Sequence, residues 1–200
     1  HRIWKKHVFP PSLQKLELEI TDPRRIPIDL VFEPLTDLTR LEKLDISDVC
    51  LEEPKSCFPE LKHWCHLKKL GLRVATVKMV HCILASVPTT QWEKLELVIE
   101  EDKPGRPGMF EGLEDADWGN LKTLQMDFVD FVIHSEMLKQ FHQLTKLSVK
   151  RVSDASLLCS RMQEVLNPDI HTHLQFIECT RSGSRPWKDA KLSAELVAEW

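Results

Sequence analysis

The chain contains no run of eighteen apolar residues, and its most hydrophobic helix-like stretch, Val74 to Val87, is interrupted by Lys78 and His81. No helical membrane span is expected from it. Asparagine is scarce: Asn120 and Asn167 are the only two, and neither opens an Asn-x-Ser/Thr sequon. That argues against a glycosylated extracellular protein and for the cytoplasm or nucleus. Catalytic signatures are missing too. There is no Gly-x-Ser-x-Gly elbow, no His-Glu-x-x-His and no cysteine–histidine pair placed as nucleophile and base, so no catalytic residue is expected. Gly105, Gly108 and Gly112 are interrupted by Pro107 and are not followed by Gly-Lys-Ser/Thr. They read as a loop, not a phosphate cradle, and no cofactor is expected.

Six cysteines, Cys50, Cys57, Cys65, Cys82, Cys159 and Cys179, contain no CxxC pair. The chain is longer than the small scaffolds that need disulfides, and its leucines supply a core, so the thiols are expected to be reduced. Cys57, His63, Cys65 and His66 lie close in sequence, and His171-Thr172-His173 would put two imidazoles on one face of a strand. Neither set has four ligands at zinc spacing, and no metal site is expected. A broad basic field is also lacking: the formal charge is -4, which disfavours nucleic acid and anionic membrane and favours a protein partner.

What the chain does have is one phrase, Leu-x-x-Leu-x-Leu, repeated almost throughout. It begins at Leu13, Leu41, Leu67, Trp92, Leu121, Leu144 and, in a degenerate form, Leu174. The middle residues, Leu16, Leu44, Leu70, Leu95, Leu124, Leu147 and Ile177, are spaced 28, 26, 25, 29, 23 and 30 residues apart. Steps near 20–29 residues mark a stacked repeat in which each short strand pairs in parallel with the next. The expected fold is α/β, a leucine-rich-repeat solenoid with helices and irregular segments on its convex side. It should form a single domain over 1–200 of about seven irregular repeats.

Several return segments carry helical signals. Thr76 can cap a helix to Ser86 with Pro88 as its stop, and Ser153 or Asp154 can cap another to Leu166, with Leu157, Leu158, Met162, Val165 and Leu166 as its apolar set. Pro23, Pro27 and Pro34 break the segment from Pro23 to Thr39, and Ser135 to Phe141 has room for about two turns. Glu100 to Asn120, rich in proline, glycine and acidic residues, is expected to project as a loop.

In a strand, side chains alternate between faces, so the residues between the leucines should form outward rows on the concave side. The first row is Lys15, Lys43, Lys69, Lys94, Thr123, Lys146 and Phe176, and the second is Glu17, Asp45, Gly71, Glu96, Gln125, Ser148 and Glu178. The third is Glu19, Ser47, Arg73, Val98, Asp127, Lys150 and Thr180. Seven basic and six acidic residues give a mixed surface, with Phe176 as its one aromatic and no surplus of cations for nucleic acid. The residues expected to contact a protein partner are Lys43, Asp45, Lys69, Arg73, Lys94, Glu96, Val98, Gln125, Asp127, Lys150 and Phe176.

The phrase resembles that of the leucine-rich-repeat superfamily over roughly residues 8 to 182. It departs in lacking the asparagine or cysteine usual eight residues after the first leucine, where Thr21, Val49, Ala75, Glu100, Val129, Val152 and Ser182 stand. The uneven repeats, tryptophan-rich returns and charged tail Lys191 to Trp200 look like the leucine-rich region of fungal F-box proteins. That resemblance implies the substrate-recognition part of a ubiquitin-ligase receptor, whose adaptor would bind a region not in this chain. The alternative is a repeat scaffold or immune-sensor ligand arm unrelated to ubiquitin. Starting on His1 and stopping at Trp200 inside a helix-like segment, the chain reads as a fragment of a longer one.

Overall fold

A computed structural model of the chain describes residues 9–20, 26–27, 31–48, 51–52, 59–74, 76–99, 110, 113, 116–167 and 169–181. Each long strand begins at the third residue of a phrase. They are β1 (Lys15–Ile20), β3 (Lys43–Asp48), β5 (Lys69–Val74), β6 (Lys94–Ile99), β7 (Thr123–Asp127), β8 (Lys146–Val152) and β9 (Phe176–Arg181), while β2 (Ile26–Pro27) and β4 (Leu51–Glu52) are short. The seven long strands form an all-parallel sheet in chain order, and β2 pairs with β4 separately. The fold class is α/β. All seven middle residues of the phrase are buried, from Leu16 to Ile177, as the period-two pattern requires.

With no asparagine at the usual position, the turns into the strands are satisfied by backbone. In every copy the first residue of the phrase donates its N–H to the carbonyl three residues earlier. These bonds run from Leu13 to Pro10, Leu41 to Leu38, Leu67 to Trp64, Trp92 to Thr89, Leu121 to Trp118, Leu144 to Phe141 and Leu174 to His171. Leu38, Trp64, Thr89, Trp118, Phe141 and His171 are all buried, so the accepting residue also supplies core volume. A second bond set links successive copies: the carbonyl of the second phrase residue accepts two N–H groups from the next phrase. Gln14 accepts from Glu42 and Lys43, Glu42 from Lys68 and Lys69, Glu93 from Lys122 and Thr123, Lys122 from Thr145 and Lys146, and Thr145 from Gln175 and Phe176.

Two compact units divide the chain, His1–Trp92 with Leu97–Asp117 and Glu93–Glu96 with Trp118–Trp200. In the first, β1, β3 and β5 align so that Leu16, Leu44 and Leu70 are in register. Helix α1 (Val77–Ser86) follows β5 and lies against it and against the 3-10 turn Pro59–His63. The Thr76 hydroxyl accepts the Met79 N–H at 3.3 Å and caps the helix as expected. Val77, Met79, Val80, Cys82, Ile83 and Leu84 are buried. Trp64, also buried, donates its indole N–H to the Leu35 carbonyl at 3.1 Å with Phe32 tilted beside it at 6.2 Å between ring centres.

In the second unit β7, β8 and β9 pair in parallel, with Leu124, Leu147 and Ile177 in register. Helix α2 (Phe128–His134) leaves β7 without a loop and continues into the 3-10 segment Ser135–Gln140. Its β-branched and aromatic residues carry no helical signature in the sequence. Helix α3 (Ala155–Val165) is capped by Asp154, whose Oδ1 accepts the Leu157 N–H at 3.0 Å. Leu158, Met162 and Val165 are buried, but Leu157, expected on the apolar side, is exposed. Thr172 and His173 form a turn, and His171 precedes it, rather than the three lying in a strand. His171 is buried there: its Nε2 lies 2.8 Å from the Leu138 carbonyl and its Nδ1 accepts the Asn167 N–H at 3.1 Å. The ring is held by backbone groups of Leu138 and Asn167. Trp118 and Phe141 meet edge to face at 5.6 Å.

Most of the proposed loop, 100–109, 111–112 and 114–115, lies outside the described residues, as do 182–200, Cys50 and Cys57. Phe110, Leu113 and Trp118, described residues of that segment, are buried in the core. No helix among the described residues is long and apolar enough to cross a membrane.

Candidate functional site

The outward rows are built by register. In the first unit Lys15, Lys43 and Lys69 align, Glu17, Asp45 and Gly71 align, and Glu19, Ser47 and Arg73 follow along β1, β3 and β5. Lys43 pairs with Glu17, and this hydrogen bond and charge hold the Glu17 carboxyl below its usual range. Among the described residues, Lys15, Glu19, Asp45, Lys69 and Arg73 have no ion-pair partner; Lys15, Glu19, Lys69 and Arg73 are exposed. Gly71 is a notch filled from the side, since a Cβ there would stand 2.9 Å from Asp45 Oδ1. Asp45 is half-buried over that notch. Val98, in the part of β6 that belongs to this unit, is half-buried.

The second unit uses its charges differently. Lys94 pairs with Glu96 at 2.8 Å on the same strand. Glu178 is held by Lys150 at 2.9 Å and Lys146 at 3.0 Å, and those two hydrogen bonds lower its carboxyl from the ordinary value. Asp127 is buried, and its carboxylate receives the fork of Arg151, Nε at 2.9 Å and Nη2 at 2.5 Å. Gln125 is half-buried between these pairs in sequence, and Phe176 is 61% exposed. Of the residues proposed for contact, Asp127 is therefore engaged in an internal pair, whereas Phe176 is open.

Arg151 reaches Asp127 through a distortion of β8. Val149 and Val152 face Cys179 and Arg181, so β8 carries one more residue than β9 over that span. Arg151 takes φ 55, a left-handed conformation that costs a non-glycine residue about 1–3 kcal/mol. The two-pronged, charge-assisted bond to a buried carboxylate offsets that strain.

Ser148 was expected in the open second row, yet it is 1% exposed and its Oγ has no hydrogen-bond partner. A buried hydroxyl in that state costs about 1–3 kcal/mol. Cys179, on the inward alternation of β9, is pushed up to about 11, first by burial and then by Cys159 and Glu178. It is a thiol, not a thiolate, at neutral pH.

The three expected rows omit a fourth, formed by the second phrase residues. Lys68 pairs with Glu42 at 3.3 Å and Lys122 approaches Glu93 at 4.0 Å. The signal was present in the phrase, because Glu42, Lys68, Glu93 and Lys122 alternate in charge from one copy to the next. Comparison with protein-family models, with curated proteins and with solved structures finds no match.

Proposed function

We propose that the chain is a protein-binding module, a leucine-rich-repeat solenoid that recognises its partner through the outward rows of its strands. The observation that carries the reading is the exposure of Phe176 on a row otherwise occupied by charged and polar side chains. A large aromatic ring left in water on a regular sheet face is the residue type that anchors interfaces. The unpaired Arg73 and Lys69 of the first unit supply polar contacts that no internal ion pair consumes. On the first unit Lys43 and Val98 belong to the same rows, and on the second Lys94, Glu96, Gln125, Lys150 and the Asp127 pair do.

The resemblance to the leucine-rich region of F-box proteins makes the partner a ubiquitin-ligase target, with the adaptor bound through a region outside this chain. Affinity purification of the protein followed by mass spectrometry tests both parts. Recovery of ubiquitin-ligase subunits together with a protein lost on Arg73→Glu or Phe176→Ala is the expected result. A partner retained by both variants, with folding confirmed by circular dichroism, would contradict the outward-row reading.

A further inference from the structure

Ser148 stands at the centre of a closed arrangement in the second unit. Lys146 and Lys150 flank it on the same face of β8, and Glu178 is its register neighbour on β9. The Glu178 carboxylate spans the two ammonium groups, Oε2 at 3.0 Å from Lys146 Nζ and Oε1 at 2.9 Å from Lys150 Nζ. In register with Glu178, the Ser148 hydroxyl is buried and, among the described residues, has no hydrogen-bond partner. Phe176 sits in register with Lys146 and is open to solvent.

Two cations thus share one internal anion, a polar donor beside them is unused, and an apolar ring adjoins the group. An internal carboxylate already demonstrates what chemistry fits between the lysines. We infer that Glu178 acts as a placeholder, and that the site formed by Lys146, Ser148 and Lys150 accepts a carboxylate from an acidic segment of a partner protein whose neighbouring apolar side chain rests on Phe176. The incoming carboxylate displaces Glu178, keeps the charge-assisted bonds of both lysines and adds the Ser148 hydroxyl as a donor. Glu178, released into solvent, regains its hydration. The local surplus of positive charge favours the acidic segment's approach. This inference rests on the reading of the chain as a protein-binding module and names the chemistry of its partner.

The test uses the full chain and a labelled synthetic peptide rich in glutamate with one phenylalanine, followed by fluorescence anisotropy, with a glutamine-for-glutamate peptide as control. Glu178→Gln leaves both lysines without their internal anion and is expected to tighten binding of the acidic peptide by about threefold or more. Lys146→Glu with Lys150→Glu should abolish binding, and Phe176→Ala and Ser148→Ala should each weaken it, while the control peptide binds poorly throughout. Binding that is unchanged, weakened or absent in Glu178→Gln would overturn the proposal. So would equal affinity for the control peptide, or tighter binding of a single-stranded oligonucleotide. If a captured protein partner is lost on Arg73→Glu but retained by the double lysine variant, the module reading stands and this site fails. If neither variant affects it, the module reading itself fails.

Discussion

The same phrase builds both units, yet their outward faces use charge in opposite ways. On the first unit the pairs Lys43 with Glu17 and Lys68 with Glu42 stand among charges that, among the described residues, have no ion-pair partner: Lys15, Lys69, Arg73, Asp45 and Glu19. On the second, Glu96, Asp127 and Glu178 are each held by a cation, and the open feature is Phe176. Exposed pairs add little stability, typically under about 1 kcal/mol. The difference therefore lies in what each face offers a partner: unspent charge on one, a set framework around an apolar anchor on the other.

The largest effects should be the same in both units, because the inward alternation is common to them. Leu44→Ala in the first and Leu147→Ala in the second remove fully buried side chains and should each cost about 2–5 kcal/mol in denaturant melts. A small effect in one unit only would show that the phrase does not build the two cores alike.

Next in size is the pair that only the second unit has. Arg151→Ala leaves the Asp127 carboxylate without its fork and keeps a Cβ at φ 55, at an expected cost of about 2–3 kcal/mol. Arg151→Gly loses the same bonds but relieves the backbone, so it should be about 1 kcal/mol less harmful. Equal losses would mean that the left-handed conformation carries no strain.

Much of this architecture is legible in the sequence, and what is not has physical causes. The phrase places the start of all seven long strands, and Thr76 and Asp154 act as the caps their positions suggest. Helix α2 escapes notice because Phe128-Val129-Asp130-Phe131-Val132-Ile133 has strand-forming residue types, and tertiary context overrides that propensity. Alternation gives the direction of a side chain but not what closes over it. Ser148 points outward in register and is nonetheless buried beside the bridge of Lys146, Glu178 and Lys150. The bulge at Arg151 is invisible for a related reason, since the residue expected at such a φ is glycine.

A contrast of about 1 kcal/mol is expected between the second-row positions Gly71 and Ser148. Gly71→Ala drives a Cβ to 2.9 Å from Asp45 Oδ1 and should destabilise by about 1 kcal/mol, with Asp45→Ala restoring most of it. Ser148→Ala removes a hydroxyl that has no partner and should be neutral or stabilising. Thermal melts of the three single variants and the Gly71 and Asp45 double variant decide both.

The smallest effect is pH-dependent. The Glu178 carboxyl is lowered from its ordinary value of 4.5 by its bonds to Lys150 and Lys146, so the folded state binds that proton less readily than the unfolded one. Its contribution is present above 4.5 and is lost as pH falls through the lowered folded value. The stability difference between the parent chain and Glu178→Gln should shrink on acidification through that window. It should remain under about 1 kcal/mol at neutral pH, because the side chain is close to half exposed and solvent screens the pairs. A difference that grows on acidification would reverse the assigned sign.

The most direct test of the central claim, that the outward rows are the binding surface, is a dissociation constant measured against a partner recovered with the protein. Arg73→Glu and Phe176→Ala should each weaken binding by about tenfold or more, which corresponds to about 1.4 kcal/mol, while Lys78→Glu on α1 should leave it unchanged. Unchanged constants for both row variants, with the fold intact, or a loss confined to Lys78→Glu, would move the binding surface away from the strands and contradict the account.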